Sequence, residues 1–214
     1  MERRYLIVPG HCARRASTSS TRSPIRRQPE PREGDRARGG GEAETGYVAP
    51  HTVHCGPDGI YMNALGAAGR QRARRHLHRS IPTTFEVEGR WEQDRGPQHL
   101  AYDFWWHLGH DTMITSEWGT PNMVKDGVNP ELLLGGQVRP HSCTCWDLRK
   151  RRHVQELDLG AEQQMALELR PAHDPTRAYG FVGVVMSLKD LVVVDLALVS
   201  RAARTARASG RSRR

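Results

Sequence analysis

Residues 52–63 read TVHCGPDGIYMN, and residues 103–116 read DFWWHLGHDTMITS. Each stretch is an apolar or aromatic run, then a turn built on Gly and Asp, then a second run ending in small polar residues. Turns of this composition close antiparallel strand pairs, because Gly and Asp tolerate the backbone conformations a tight reversal demands. The two units begin about 50 residues apart, the repeat length of one four-stranded propeller blade. Each is followed by a candidate outer strand, FEVEGRW at 85–91 and HVQEL at 153–157. A third unit starts at Met165 and resumes at 179–186.

Working outward from these units, short β-branched or aromatic runs recur at 48–55, 60–65, 84–91, 102–107, 112–118, 153–159, 165–169 and 179–186. Gly, Pro, Asp and Asn separate them. One helical turn is predicted at 161–166. The fold expected is all-β: a partial β-propeller of two to three four-stranded blades with Arg-rich irregular segments, its sheet edges open. Residues 1–8 read as the remnant strand of an earlier blade and 9–45 as an irregular Arg-rich segment. The partial propeller spans 46–191, and 192–214 is an Arg-rich tail.

The net charge of +8 suggests a nucleic-acid partner at first sight. Its distribution argues otherwise. Of the 32 basic residues only three are Lys, and 19 of the Arg fall in 9–45, 70–82 and 201–214. The remaining 150 residues carry a net charge of −6. Arg, Ala, Pro, Gly and Ser without Lys are also what a GC-rich frame yields when it is read out of register. RHLHRS at 75–80 can be encoded so that a one-base shift reads Gly-Ile-Phe-Ile-Asp. DLALVSR at 195–201 likewise yields Ile-Trp-Leu-Trp-Tyr-Arg. Both alternatives are strand-like, so 9–45, 70–82, 138–145 and 192–214 are read as frameshifted. An Arg-rich nucleic-acid binder ranks last among the functions considered.

No run of 18 apolar residues occurs, so no membrane helix is expected, and Tyr5-Leu6-Ile7-Val8 is too short for a signal peptide core. Four cysteines do not make a disulfide scaffold in a chain of this size. The expected compartment is cytoplasmic, with no membrane partner.

HTVHC at 51–55 is the best candidate site. Imidazole suits copper, and the soft thiol of Cys55 suits copper or selenium. In a straight strand His51 and His54 point to opposite faces, so one metal can take both only where the strand bends. His107 and His110 flank a hairpin turn, where solvated histidines are common. HSCTC at 141–145 has spacing too tight for a zinc site. Trp105, Trp106 and Trp118 read as packing residues, and Asp103, Glu117 and Asp126 as solvated loop acids. There is no phosphate loop, nucleophile elbow or dinucleotide fingerprint.

Four stretches together carry a family resemblance: 45–68, 84–137, 146–159 and 168–190. Within them HTVHC, YDFWW, EWGTPN with DGVNPE, and GFVG follow one another in order. The chain resembles the selenium-binding protein family, whose enzymatic members are methanethiol oxidases. The resemblance implies a copper-dependent oxidation of methanethiol, oxygen and water to formaldehyde, hydrogen sulfide and hydrogen peroxide. It implies His54 as a copper ligand with His51 beside it, and Cys55 as a selenium- or thiol-binding residue. The partner implied is a small thiol or selenium species. Family members also carry an earlier Cys and paired-His region and later blades, so this chain is expected to be inactive alone. The alternative is a selenium- or thiol-binding protein without turnover.

Overall fold

The computed structural model describes residues 5–8, 17–20, 30–36, 45–67, 76–80, 87–97, 100–118, 127, 129, 131, 141–160, 163–186 and 191–195. Among these the secondary structure is strand apart from one 3₁₀ turn at Leu108–His110 and single helical residues at 45 and 131. No described helix is long and apolar enough to cross a membrane. The strands form four antiparallel sheets, each meandering in chain order. The chain divides into two compact units, 1–91 with 120–127, and 92–119 with 128–214.

The first unit holds two sheets. In one, β1 (Tyr5–Val8), β2 (Ser17–Ser20) and β3 (Glu30–Arg36) pair in sequence order. In the other, β4 (Tyr47–Cys55), β5 (Ile60–Ala67), β6 (His76–Ser80) and β7 (Val87–Arg90) do the same. Residues 61–66 of β5 are all buried, as befits a strand paired on both edges and covered on both faces. The turn between β4 and β5 is closed by Gly56 N–H donating to the Gly59 carbonyl at 2.8 Å.

The second unit is built from β8 (Phe104–His107), β9 (Thr112–Glu117), β10 (Ser142–Asp147) and β11 (Arg152–Asp158) in one sheet. Its second sheet contains β12 (Gln164–Pro171), β13 (Tyr179–Met186) and β14 (Leu191–Asp195). Ile114, Cys143 and Cys145 meet Ala166, Leu169 and Val182 in the core, with Trp105, Val154 and Leu157 around them. Burying these side chains against one another is what holds the two sheets together.

Several expectations are corrected. The helical turn at 161–166 is not formed among its described residues: Gln163 N–H closes a turn onto the Gly160 carbonyl, and β12 begins at Gln164. The segment 9–45 is not irregular throughout, because β2 and β3 lie within it. Ser142–Cys145 opens a central strand and contributes four consecutive buried residues. His76–Ser80 pairs with Ile60–Ala64 as the third strand of its sheet. β14 carries strand structure from Leu191 to Asp195. β2 and β3 are polar without alternation, β6 and β10 each follow a stretch containing Gly and Arg, and β14 is the apolar run LVVVD. Ladder hydrogen bonds come from the backbone and need no side-chain pattern.

Candidate functional site

The HTVHC stretch forms the C-terminal half of β4. Its register against β5 pairs Pro50 with Ala64 and Val53 with Met62, so three steps on one strand oppose two on the other. His51 and Thr52 therefore share the place opposite Asn63, which defines a β-bulge. Ala49, with φ 58°, sits just before it in the left-handed region. The bulge is pinned by a side chain: Asn63 Oδ1 accepts the Thr52 N–H at 2.7 Å. The Thr52 hydroxyl lies 3.0 Å from His51 Nδ1.

This irregularity changes the geometry of the site. Three residues apart on a regular strand, His51 and His54 would face opposite ways. One extra residue between them restores the same parity, placing both on the side shared by Asn63 and Tyr61. Cys55, paired with Ile60, falls on the other face and is exposed. By this register the two histidines fall on one face of the strand and the thiol on the other. Tyr61 donates its hydroxyl to Asp58 in the adjoining turn.

In the second unit a small apolar cleft lies between β8, β9, β12 and β13. Trp105, Trp106, Ile114, Leu169 and Phe181 line it. The Arg170 guanidinium stands 5.2 Å from the Trp105 ring centroid. His107 also lines the cleft and is only 5% exposed, contrary to its reading as a solvated turn residue.

The acids are likewise corrected. Asp103 is 2% exposed and accepts the Leu169 N–H at 2.9 Å. Glu117 is buried on β9 and accepts the Thr144 hydroxyl at 2.7 Å. Asp126 lies outside the described residues. Trp118 is buried, and Trp105 packs against the core cluster. Cys143 and Cys145 are fully enclosed; burial pushes both thiols up, that of Cys145 to about 12. They stay protonated at neutral pH and are poor ligands and nucleophiles. His141 lies 3.5 Å from an Asp158 carboxylate oxygen. Among the described residues no three His, Cys, Asp or Glu side chains converge as a metal site.

A family sequence model described as 56 kDa selenium-binding protein matches residues 1–196. The chain belongs to the selenium-binding protein family. The match spans the Arg-rich segments 9–45 and 70–82 as well as the four stretches that carry the resemblance, and stops short of the Arg-rich 201–214. Methanethiol oxidase of Danio rerio is 38% identical over 145 residues, covering 66% of this chain and 31% of that protein. Selenium-binding protein 2 of Mus musculus is 35% identical over 147 residues, covering 68% and 30%. An X-ray structure of a hypothetical selenium-binding protein from Sulfolobus tokodaii superposes with a TM-score of 0.79 at 42% identity, covering 90% of this chain and 42% of that one. The chain spans about a third of the length of the curated relatives it matches.

Within the family assignment, the bulge on β4 is the feature that sequence spacing missed. Its only sequence signals are Pro50 and the polar Asn63 in an otherwise apolar β5. A buried Asn on a central strand asks for a partner, and a bulge amide is the partner it has.

Proposed function

We propose that this chain is part of a copper-dependent methanethiol oxidase, in which β4 supplies two imidazoles, His54 and His51, to the copper. The observation that supports this most directly is the bulge, which turns both histidines to one face. Two imidazoles fit copper by donor type, and the remaining ligands belong to other parts of the intact protein. Copper held by these imidazoles would supply electron transfer between a thiolate and oxygen. The overall balance is methanethiol, oxygen and water giving formaldehyde, hydrogen sulfide and hydrogen peroxide. The residues of this chain hold and orient. Asn63 fixes the bulge through the Thr52 amide, and the Thr52 hydroxyl sets the plane of the His51 ring.

Each four-stranded sheet then corresponds to one propeller blade, and the three-stranded β12–β14 sheet to a third. The unpaired Cys55, Cys143 and Cys145 suit a reducing, cytoplasmic compartment. With two of the copper ligands only, the chain binds the metal weakly and does not turn over alone. The test is hydrogen peroxide release from methanethiol by the purified chain loaded with copper. Copper binding that weakens on His54→Gln, with no peroxide formed, supports the reading. Peroxide formation by this chain alone would refute its inactivity, and copper affinity indifferent to both histidines would refute the site.

A second reading rests on the exposed thiol of Cys55, which lies on the face opposite the histidines. There it can take up a selenium or thiol species independently of copper, as a binding function without turnover. Selenite labelling that is lost in Cys55→Ser and unaffected by His54→Gln separates this reading from the first.

A further inference from the structure

His107 closes β8, and its environment differs from that of an ordinary buried histidine. Nε2 lies 2.8 Å from the Arg177 carbonyl oxygen. A carbonyl only accepts, so Nε2 carries the proton and Nδ1 carries the lone pair. That Nδ1 is buried and has no hydrogen-bond partner. The Nδ1–Cε1 edge of the ring faces the 3₁₀ turn Leu108–His110. A Cβ placed on Gly109 would stand 3.5 Å from Nδ1 and 3.4 Å from Cε1. Across the same turn, where residues three apart eclipse, the His110 ring comes within 4.7 Å of the His107 ring, centroid to centroid.

We propose that His107 Nδ1 and His110 form a two-imidazole site for a borderline divalent transition ion of the zinc or copper(II) class. It is separate from the pair on β4 and does not depend on the function assigned to that pair. Three observations converge on it. A buried lone pair without a donor calls for a cation or a donor to occupy it. A ring whose far nitrogen donates to a backbone carbonyl is oriented as metal-binding histidines are. Two nitrogens held at about 2.0–2.1 Å from a tetrahedral ion place their ring centroids about 5 Å apart, close to the separation found. Imidazoles without carboxylate ligands select zinc, copper or nickel over calcium or magnesium. The neighbouring Asp111 carboxylate is engaged by Arg149 at 2.8 Å, which leaves the other coordination positions to water or a small ligand.

The experiment uses the full chain carrying His51→Gln and His54→Gln, so that the β4 pair is silent, and titrates Zn(II) alone by calorimetry. One zinc per chain is expected, with affinity falling about tenfold or more on adding His110→Gln. That substitution leaves the His107 bond to Arg177 in place, so folding is preserved. In the unsubstituted chain, nitrogen-15 NMR of the ring should show the His107 Nδ1 signal moving on zinc addition while Nε2 keeps its proton. No zinc bound by the silenced chain, affinity indifferent to His110→Gln, or an unmoved Nδ1 signal would each overturn the proposal.

Discussion

The carboxylate of Asp103 accepts the backbone N–H of Leu169 at 2.9 Å, joining the residue before β8 to the middle of β12 in the other sheet of the second unit. The same oxygen lies 3.4 Å from Arg170 Nη1. Two further bonds run beside it: the Ser116 hydroxyl donates to the Leu167 carbonyl, and the Asp103 N–H donates to the Ser116 hydroxyl at 3.1 Å. Ladder bonds cannot link two separate sheets, so this polar staple fixes the register that the apolar core alone leaves free to slide.

Asp103→Ala removes the acceptor and leaves the Leu169 amide buried without a partner. A hydrogen bond to a charged group contributes about 1.5–3 kcal/mol, and the variant should lose that much stability. Urea melts of the chain measure it. Asp103→Asn, which keeps one oxygen, should lose less; equal losses would mean that packing, not the bond to Leu169, is what the site provides.

Asn63→Ala tests the bulge. The Thr52 amide loses its acceptor, at a cost of about 1 kcal/mol or more, and the pairing of β4 with β5 can relax toward a regular ladder. A regular ladder returns His51 and His54 to opposite faces. Copper affinity should therefore drop in Asn63→Ala and persist in Asn63→Asp, which retains the acceptor. Isothermal titration with copper on all three chains decides it.

The thiols give a pH dependence. Burial raises the Cys143 and Cys145 thiols above the ordinary value of 9.0, Cys145 to about 12. A thiol held protonated in the fold contributes its stability below the ordinary value and loses it as pH rises toward the folded value. Stability should thus be flat in these two groups up to about pH 8. It should then fall by about 1.4 kcal/mol per pH unit for Cys145 through the window from about 9 to about 12, with Cys143 acting in the same direction above 9. Cys145→Ala should halve the slope where both thiols titrate. Maleimide at pH 8, in a Cys12→Ser background, should label the exposed Cys55 quickly and the other two only on unfolding.

The sequence made some of this legible and hid the rest for identifiable reasons. β4, β5, β9 and β13 announce themselves through β-branched and aromatic runs bounded by Gly, Pro and Asp, and the structure places strands there. His76–Ser80 and Ser142–Cys145 carry no such pattern, yet both join ladders through backbone groups that every residue possesses. Asp103 and Glu117 look like loop acids because a carboxylate's partners, here the Leu169 amide and the Thr144 hydroxyl, lie 66 and 27 residues away in sequence. The same holds for His107, whose carbonyl partner at Arg177 is 70 residues distant. The β4 histidines were recognisable as a pair, but their common face depends on a bulge that a period-2 reading cannot contain.

Gly96 is the last test, and it concerns the loop that leads into the second unit. Its φ of +60° is a conformation that L side chains rarely adopt, and a Cβ there would stand 2.6 Å from His153 Cγ and 2.9 Å from His153 Cβ. These are the stem of the side chain, not a flexible end, so the contact cannot be relieved by a rotamer change alone. The loop is also held by Asp94: its carbonyl accepts the His153 N–H at 2.8 Å, and its carboxylate pairs with Arg152 at 3.1 Å. Gly96→Ala must therefore either push β11 away from this loop or break the Asp94 contacts, a cost of about 1–3 kcal/mol in overpacking beyond the backbone strain. A thermal melt showing no loss of stability in Gly96→Ala would mean that the loop does not pack on His153 as described. A loss that His153→Ala relieves in the double variant would locate the clash at that ring.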